Sequence, residues 1–371
     1  MTLRPAGEFG RFFLPGPTEV RREVLEAMLG PMMGHRTPEA EALMERIQPG
    51  LRHTFRTERP VYVAASSGTG MMEMAIRNAA RRRVLSLVNG AFSERFAKIA
   101  ELCGLEVERL VVEWGESHTP ALLEDALAGG DYDTVTICHS ETSTGVLNPI
   151  AELAQIAHGH DAMVCVDAVS SLAGAPVETD AWGLDFVATG AQKALAPPGL
   201  GFAVAQEAVL ERAAANPARG LYFDVLAFEK NLAKSQAPNT PAVSLLYAAA
   251  VQMEAILDEG IEARWARHRA MAERTWAWVA EQRDAGVELG VLASEGHRSP
   301  TVTCITLPHG LRGTDVCAAM RAHGYVIAPG YGKERDRMIR IGHMGDHTLP
   351  ELDELLEVLE HVLEEATATH G

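Results

Sequence analysis

Residues 163–199, MVCVDAVSSLAGAPVETDAWGLDFVATGAQKALAPPG, contain two short apolar runs, and each run is followed by a polar side chain able to do chemistry. The runs 163–167 and 185–189 are typical of strands in a sheet that is covered on both faces. Asp167 ends the first run, and Lys193 follows the second within a turn of small residues and prolines. Because consecutive strands of a parallel sheet end at one edge, we expect this carboxylate and this amine to lie close together.

Similar apolar runs continue on both sides of this stretch and alternate with segments that have apolar residues at helical spacing. The strand-like runs are 60–65, 84–88 and 134–138, and the helical segments include 92–103 and 150–158. Alternation of this kind predicts an α/β fold with a mainly parallel sheet between helices. Ligands of such sheets bind beyond the carboxyl ends of the strands.

The pattern changes after Pro238. Thr240 followed by Pro241 is typical of a helix N-cap and first turn, and it predicts a long helix that runs through Asp258. Beyond it we predict helices over 261–284, 314–323 and 350–366, and strands over 301–307 and 338–342. We therefore expect an N-terminal arm over 1–20, a large domain over 21–245, and a smaller α+β domain over 246–371 that includes the long inter-domain helix.

The composition excludes several classes of function. A formal net charge of −17, from 50 acidic and 33 basic side chains, would repel the phosphates of a nucleic acid. The five cysteines are scattered without a close pair, which gives no metal signature and fits a reducing compartment. No apolar run is long enough to span a membrane, and the N-terminus lacks a signal-peptide pattern. We expect a cytoplasmic protein with no nucleic-acid, membrane or metal partner.

A glycine-rich turn, SSGTG at 66–70, follows the strand-like run 60–65 and opens a helix that we predict over 71–82. Backbone N–H groups at a helix N-terminus attract anions, and a phosphate monoester would suit this turn. The turn matches neither GxxxxGK[ST] nor a full GxGxxG, so it gives little support to nucleotide binding.

Asp167 and Lys193 each have a structural interpretation as well as a functional one. The carboxylate could cap the next helix, and the lysine could extend from a strand end to solvent. As a pair they fit chemistry on pyridoxal phosphate (PLP), which needs an amine that attacks a carbonyl and an acid that keeps the ring nitrogen protonated. The pair is a much stronger signal than either residue alone.

Nine short sequence stretches, spread along nearly the whole chain, extend this interpretation because they match the motifs of a known family in the same order. The chain resembles the class V aminotransferases, in particular the alanine/serine–glyoxylate (serine–pyruvate) aminotransferase group of PLP fold type I. The stretches that carry the resemblance are PGPTEV (15–20), MGHRTP (33–38), SGTG (67–70), NG (89–90), ETSTG (141–145), VDAVSS (166–171), GAQKALAPPG (190–199), TPAVSL (240–245) and RIGHMG (340–345).

The resemblance implies a role for each matching residue. Lys193 would be the Schiff-base lysine and proton shuttle, and Asp167 would pair with the pyridinium nitrogen. The remaining cofactor contacts would come from the backbone of Thr69, Gly70 and Met71, and from the side chains of Gln192, Thr142 and Phe92. The backbone groups and Gln192 would hold the phosphate, Thr142 would hydrogen-bond the phenolic oxygen, and Phe92 would stack on the ring. Alternatively, Phe92 could be an aromatic residue of the hydrophobic core with no contact to a cofactor.

Two further residues acquire roles in the same way. Arg340 would clamp the substrate's α-carboxylate with its planar guanidinium, although it could also be a surface or ion-paired arginine. Thr240 would reach the phosphate bound by the neighbouring subunit of a homodimer with shared active sites, or it could only cap its own helix. Some relatives carry a tyrosine three residues earlier, where this chain has Ala237.

The implied activity is transfer of an amino group from a small amino acid, alanine or serine, to a 2-oxo acid, glyoxylate or pyruvate. Phosphoserine transamination is the main alternative, with a second anion bound by His35, Arg36, Lys333 or Arg335. A PLP lyase or desulfurase is another, although Cys304 and Cys317 lie in segments that read as buried. A PLP-binding accessory protein without turnover is the third. His343 and His347 have no further ligands at metal spacing, so no metal site is expected.

Overall fold

The computed structural model describes residues 8–370. In chain order the strands are β1 Arg11–Phe12, β2 Tyr62–Ala65, β3 Arg83–Val88, β4 Glu106–Val111, β5 Thr134–Cys138, β6 Ser140–Glu141, β7 Val146–Leu147, β8 Met163–Asp167, β9 Phe186–Gly190, β10 Leu200–Ala205, β11 Gly290–Val291, β12 Val302–Thr306, β13 Tyr325–Val326, β14 Ala328–Pro329 and β15 Met338–Gly342. The α-helices are α1 Arg22–Ala27, α2 Pro38–Phe55, α3 Gly68–Ala79, α4 Ala91–Leu102, α5 Pro120–Ala128, α6 Ile150–Gly159, α7 Glu207–Ala215, α8 Val225–Leu232, α9 Val243–Glu259, α10 Ile261–Asp284, α11 Gly313–Ala322 and α12 Leu349–His370.

A seven-stranded sheet in the order β2-β10-β9-β8-β5-β3-β4 forms the centre of the larger part of the chain. The neighbours from β9 to β4 are parallel, and only β10 runs antiparallel to both of its neighbours. Apolar helices cover one face of this sheet with α2, α5, α6 and α9, and the other with α3, α4, α7 and α8. The prediction of an α/β fold with a mainly parallel, doubly covered sheet is confirmed.

A second, smaller core lies towards the C-terminus. Its sheet has the order β11-β12-β15-β14, and helices α10, α11 and α12 pack against it. This is the α+β architecture that the sequence predicts for the C-terminal part. None of the helices within residues 8–370 is both long and apolar enough to cross a membrane.

The boundary between the two cores differs from the expected division at residue 245. Helix α9 contributes Leu246, Met253 and Ile256 to the core of the larger sheet. The second core contains Phe13 from the N-terminal segment and then continues from Met271 in α10. Strand β1, which we assigned to an N-terminal arm, pairs in parallel with β13 of the C-terminal part. Apolar burial thus places α9 in the core of the larger sheet, and the chain passes from one core to the other within α10.

The predicted start of α9 at Thr240 is wrong. The helix begins at Val243, its N-cap is Ala242 without a side-chain hydrogen bond, and Thr240 is exposed. Val243 and Leu246 are buried, so packing of the helix against the core sets where it begins, and the local capping signal does not. The hydroxyl of Thr240 is therefore not used to cap this helix.

Candidate active site

A cavity of about 250 Å³ opens at the carboxyl ends of the central strands. It is lined by Gly16, Pro17, Ser67, Gly68, Thr69, Met72, Phe92, Arg95, Ser140, Thr142, Asp167, Val169, Ser170, Gln192 and Lys193. Strands β8 and β9 are parallel neighbours, and this adjacency brings Asp167 and Lys193 to one cavity as the sequence predicts. Six of the ten residues proposed from the sequence line it.

Asp167 is the last residue of β8 and is only 3% exposed. One carboxylate oxygen accepts the Val169 N–H at 2.8 Å, and the other has only the Cys138 thiol at 3.7 Å. Burial raises the pKa of the Asp167 carboxyl to about 6, and the charge of Lys193 offsets this only in part. A buried carboxylate with one poorly satisfied oxygen fits a cationic N–H donor from a ligand.

Lys193 lies in the turn between β9 and β10 and is 8% exposed. Its Nζ donates to the Pro15 carbonyl, and the Thr18 hydroxyl donates to its backbone carbonyl. Burial, together with the positive charge of Arg340, lowers the pKa of the Lys193 amine to about 8. The neutral, nucleophilic form of this amine is therefore far more populated near neutral pH than that of an ordinary lysine.

The N-terminus of α3 points into the same cavity. The helix begins at Gly68, earlier than the sequence indicated, and the N–H groups of Gly68, Thr69 and Gly70 have no acceptor within the described chain. The Met71 N–H donates to the Ser67 carbonyl at 3.2 Å. The Met71 N–H is thus occupied, against the expectation that it would hold an anion, whereas the Gly68 N–H is available for one.

Glycines allow this helix end to approach the strands closely. A Cβ on Gly68 would lie 2.4 Å from a methyl group of Val169, and one on Gly190 would lie 2.4 Å from the side-chain oxygen of Gln192. The same packing holds Gln192 beside the N-terminus of α3. Gln192 is thereby in position to contribute to an anion site, as expected.

Phe92 and Thr142 also line the cavity. The carboxylate of Glu141 accepts the N–H groups of Phe92 at 3.1 Å and of Ser93 at 2.8 Å, which anchors the start of α4. The Thr142 hydroxyl forms a hydrogen bond with the Ser170 hydroxyl. Sequence reasoning assigned no role to Glu141 or Ser170, although both lie inside the quoted motifs ETSTG and VDAVSS.

Arg340 lies on β15, beside the cavity and linked to it through Thr142. Its Nε donates to the Pro329 carbonyl at 2.9 Å and its Nη1 to the Thr142 carbonyl at 3.3 Å. The side chain is 8% exposed and forms no ion pair within residues 8–370. Burial consequently lowers the pKa of its guanidinium, and its remaining N–H groups are available to an external carboxylate.

The other proposed anion ligands lie outside the cavity. Arg36 donates to the side chains of Asn231 and Gln236 and to the carbonyls of Ala237 and Pro238. The amine of Lys333 lies 5.0 Å from the centre of the Trp114 ring. Along with these two, His35, Arg335 and Thr240 are absent from the described lining.

His343 of the RIGHMG segment and His347, which follows that segment, have structural partners. His343 hydrogen-bonds Thr303 at 2.9 Å and the Pro300 carbonyl at 3.0 Å, and His347 stacks on Phe13 with ring centres 4.1 Å apart. A search of the described chain finds no group of three or more His, Cys, Asp and Glu side chains arranged to hold a metal ion.

The two thiols considered for desulfuration differ in exposure: Cys304 is buried as expected, whereas Cys317 is only partly buried. Cys304 is buried on β12, and burial raises the pKa of its thiol to about 12. The pKa of Cys317 is also raised to about 12 by burial. A cysteine acting on a substrate must reach the thiolate form, so neither residue suits desulfuration.

Together these groups fit PLP. The N-terminus of α3 can hold a phosphate, Asp167 can keep a ring nitrogen protonated, and Lys193 can bind an aldehyde. Phe92 offers an aromatic face, and Arg340 can accept the carboxylate of an amino acid.

Comparison with known proteins agrees with this chemistry. The family model "Aminotransferase class-V" matches residues 14–332. An uncharacterized aminotransferase of Methanocaldococcus jannaschii is 40% identical over 339 residues, covering 90% of this chain and 87% of the relative. A serine–glyoxylate aminotransferase of Methylorubrum extorquens is 31% identical over 364 residues, covering 93% and 88%. The crystal structure of an alanine–glyoxylate aminotransferase from Nostoc sp. has a TM-score of 0.90 and 29% identity, covering 98% of each chain. The chain therefore belongs to the class V aminotransferase family of PLP-dependent enzymes.

Proposed function

We propose that this aminotransferase transfers the amino group of a small amino acid, alanine or serine, to a 2-oxo acid, glyoxylate or pyruvate. One observation carries the proposal: Lys193 and Asp167 lie buried at neighbouring strand ends of one cavity, and burial lowers the pKa of the Lys193 amine to about 8, towards the neutral form that attacks an aldehyde. The Nostoc and Methylorubrum relatives are named alanine–glyoxylate and serine–glyoxylate aminotransferase, which supports the choice of substrates.

Each charged side chain has a separate task in this proposal. When bound, PLP supplies an aldehyde that condenses with amines and a ring that withdraws electrons. Asp167 holds the proton on the ring nitrogen. Lys193 would hold the cofactor through its Nζ at rest. Once free, the same amine would move a proton between the substrate's α-carbon and the cofactor.

Arg340 binds and orients the substrate. Two parallel N–H groups of a guanidinium match the two oxygens of a carboxylate, which fixes the α-carbon beside Lys193. Thr142, Gln192 and Phe92 hold the cofactor at its phenolic oxygen, phosphate and ring face.

A small donor side chain is supported by the aromatic residue next to Arg340. The Tyr331 ring centre lies 5.4 Å from both the Phe92 ring centre and the guanidinium carbon of Arg340. The space between the ring-stacking residue and the carboxylate clamp is thus partly filled. Phosphoserine is less well served, since Arg36 and Lys333 already have partners within the protein and lie away from the cavity.

The proposal includes a homodimer in which Thr240 contacts the phosphate in the partner's active site. Support comes from the exposed position of Thr240 and from the absence of a capping role for it within the described chain. Arg36 braces the segment that leads to Thr240 through the carbonyls of Ala237 and Pro238, so the loop is held in place ahead of α9.

A panel of half-reactions tests the function. The PLP form of the enzyme is mixed with single amino acids, and the loss of absorbance of the lysine-bound cofactor is followed. Single 2-oxo acids are then added to the product to restore that absorbance. We expect the largest rates with alanine or serine and with glyoxylate or pyruvate. Fast conversion by phosphoserine alone would replace the proposed substrate, and no conversion by any amino acid would favour an accessory PLP-binding protein.

A further inference from the structure

An arginine at the cavity wall has no task in the chemistry described so far. Arg95 lies on α4, one turn after Phe92, and lines the cavity. Its Nη1 is 3.4 Å from the Thr69 hydroxyl, and its guanidinium carbon is 4.8 Å from the Phe92 ring centre. Arg95 therefore connects the stacking residue with the N-terminus of α3.

The acidic neighbours of Arg95 are already paired with another residue. Glu94 and Glu101 of the same helix form ion pairs with Arg109, at 2.9 Å and 2.6 Å. Arg95 itself forms no ion pair with a carboxylate in the described part of the chain. A half-buried guanidinium whose nearby acids are taken is poised to receive an anion from a ligand.

The rest of the proposed phosphate site is electrically neutral. It consists of backbone N–H groups of Gly68, Thr69 and Gly70 and the amide of Gln192. A phosphate monoester carries about −1.5 to −2 charges at neutral pH, which N–H dipoles stabilise only in part. Lys193, the other basic residue in the lining, is held at the Pro15 carbonyl and is reserved for the amine chemistry.

We propose that Arg95 is the cationic ligand of the cofactor's phosphate group, acting beside the N-terminus of α3. This inference rests on the proposed PLP-dependent function. The same guanidinium chemistry would also suit the distal carboxylate of a dicarboxylic amino acid. Its position at Thr69, where the free N–H groups of α3 converge, favours the phosphate.

Binding of two cofactor forms to the cofactor-free protein tests the proposal without any turnover. The dissociation constants of PLP and of pyridoxal, which lacks the phosphate, are measured by absorbance titration for the unmodified protein, Arg95→Gln and Arg95→Lys. Lys98→Gln is the matched control because Lys98 lies on the same helix and pairs with Glu101 outside the cavity. Inorganic phosphate is added as a competitor for PLP.

We expect Arg95→Gln to weaken PLP binding by on the order of 10- to 100-fold, the range of a hydrogen bond to a charged group, and to change pyridoxal binding less than about twofold. Arg95→Lys should restore part of the loss, and Lys98→Gln should bind both forms normally. Competition by inorganic phosphate should weaken in Arg95→Gln.

Three outcomes would overturn the assignment. An equal loss for PLP and pyridoxal would mean that Arg95 only supports the Phe92 ring. Unchanged PLP binding with a selective loss of activity towards dicarboxylic amino acids would assign Arg95 to the substrate. Failure of the unmodified protein to prefer PLP over pyridoxal would remove the phosphate site. If the half-reaction panel fails but the phosphate preference depends on Arg95, the proposed substrates are wrong and the assignment of Arg95 stands.

Discussion

At the scale of single residues, burial without a counter-ion sets the chemistry of the site. Asp167, Lys193 and Arg340 are all buried, and none of them pairs with an opposite charge within residues 8–370 at ion-pair distance. Desolvation disfavours each charged form, so the protein holds these groups ready for partners on the cofactor and substrate. Opposite charges on a bound ligand would offset the desolvation cost that these buried groups carry in the folded protein.

Lys193 provides a pH-dependent test. Its amine must be neutral to attack the aldehyde of PLP, so the rate of covalent capture by the cofactor-free protein should rise with pH and level off above a midpoint near 8. Borohydride reduction followed by peptide mapping identifies the modified lysine. In Arg340→Met the midpoint should move upwards because a nearby positive charge is lost. A midpoint near the ordinary lysine value of about 10.4 would show that the amine is solvated.

Arg340 offers a second test at this scale. Arg340→Ala should lower kcat/KM by on the order of 100-fold for donors and acceptors alike, or ~3 kcal/mol, because all share the α-carboxylate. Arg312→Ala is the control, since Arg312 is an exposed arginine of the same small domain that pairs with Asp336. A loss restricted to one substrate would assign Arg340 to side-chain recognition.

At the scale of elements, the loop 15–18 acts as a support for the turn that carries Lys193. The Pro15 carbonyl accepts a hydrogen bond from the Lys193 amine. Thr18 donates hydrogen bonds to the backbone carbonyls of Gln192 and Lys193. Gly16 has a φ of 105°, and a Cβ there would lie 2.4–2.5 Å from the end of the Lys193 side chain. Only glycine combines this backbone conformation with room for the lysine.

Two glycine substitutions separate backbone strain from displacement of the lysine. Gly104 also has a positive φ, 87°, but a Cβ there would meet nothing within 4 Å. Both Gly16→Ala and Gly104→Ala should lower Tm because alanine is strained in this region. Gly16→Ala alone should slow covalent PLP capture, by on the order of 100-fold, since a displaced nucleophile loses its alignment. Equal capture rates in the two variants would contradict a supporting role for the loop.

At the scale of the whole molecule, the site draws on both cores. The lysine and the aspartate come from the large sheet, and Arg340 comes from the small one. Arg264 of α10, where the chain crosses between the cores, donates to the Ala194 carbonyl at 2.8 Å and pairs with Asp346 at 2.8 Å. This buried contact links the lysine turn to the residue that directly follows the RIGHMG segment.

The proposed dimer is tested by dilution. Because a ligand that contacts both subunits favours the associated state, PLP should lower the dimer dissociation constant, which analytical ultracentrifugation of both forms measures. Thr240→Val should weaken PLP retention by about 1–2 kcal/mol, the scale of one hydrogen bond to a charged group. Removal of its hydroxyl should leave the α9 helix intact, since Thr240 does not cap it. An active monomer, or a dimer constant indifferent to PLP, would contradict the shared site.

Features that depend on local pattern could be read from the sequence. Strands β5, β8 and β15 and helix α10 have the predicted bounds, because runs of apolar residues at a fixed period specify both the element and its buried face. The adjacency of Asp167 and Lys193 followed from the same alternation, since consecutive parallel strands end at one edge. Family motifs supplied Thr142, Gln192 and Phe92, which line the cavity.

Features that depend on packing between distant segments required the tertiary structure. The start of α9 follows burial of Val243 and Leu246, which overrides the Thr-Pro capping signal. Because α3 starts early, the Gly68 N–H can donate a hydrogen bond to an anion, whereas the Met71 N–H is already bonded to the Ser67 carbonyl. The supporting contact of Pro15 with Lys193 and the availability of Arg95 depend on which partners the fold brings near and which it assigns elsewhere. Period and composition describe one segment at a time, whereas burial and unpaired charge arise only when all segments share one space.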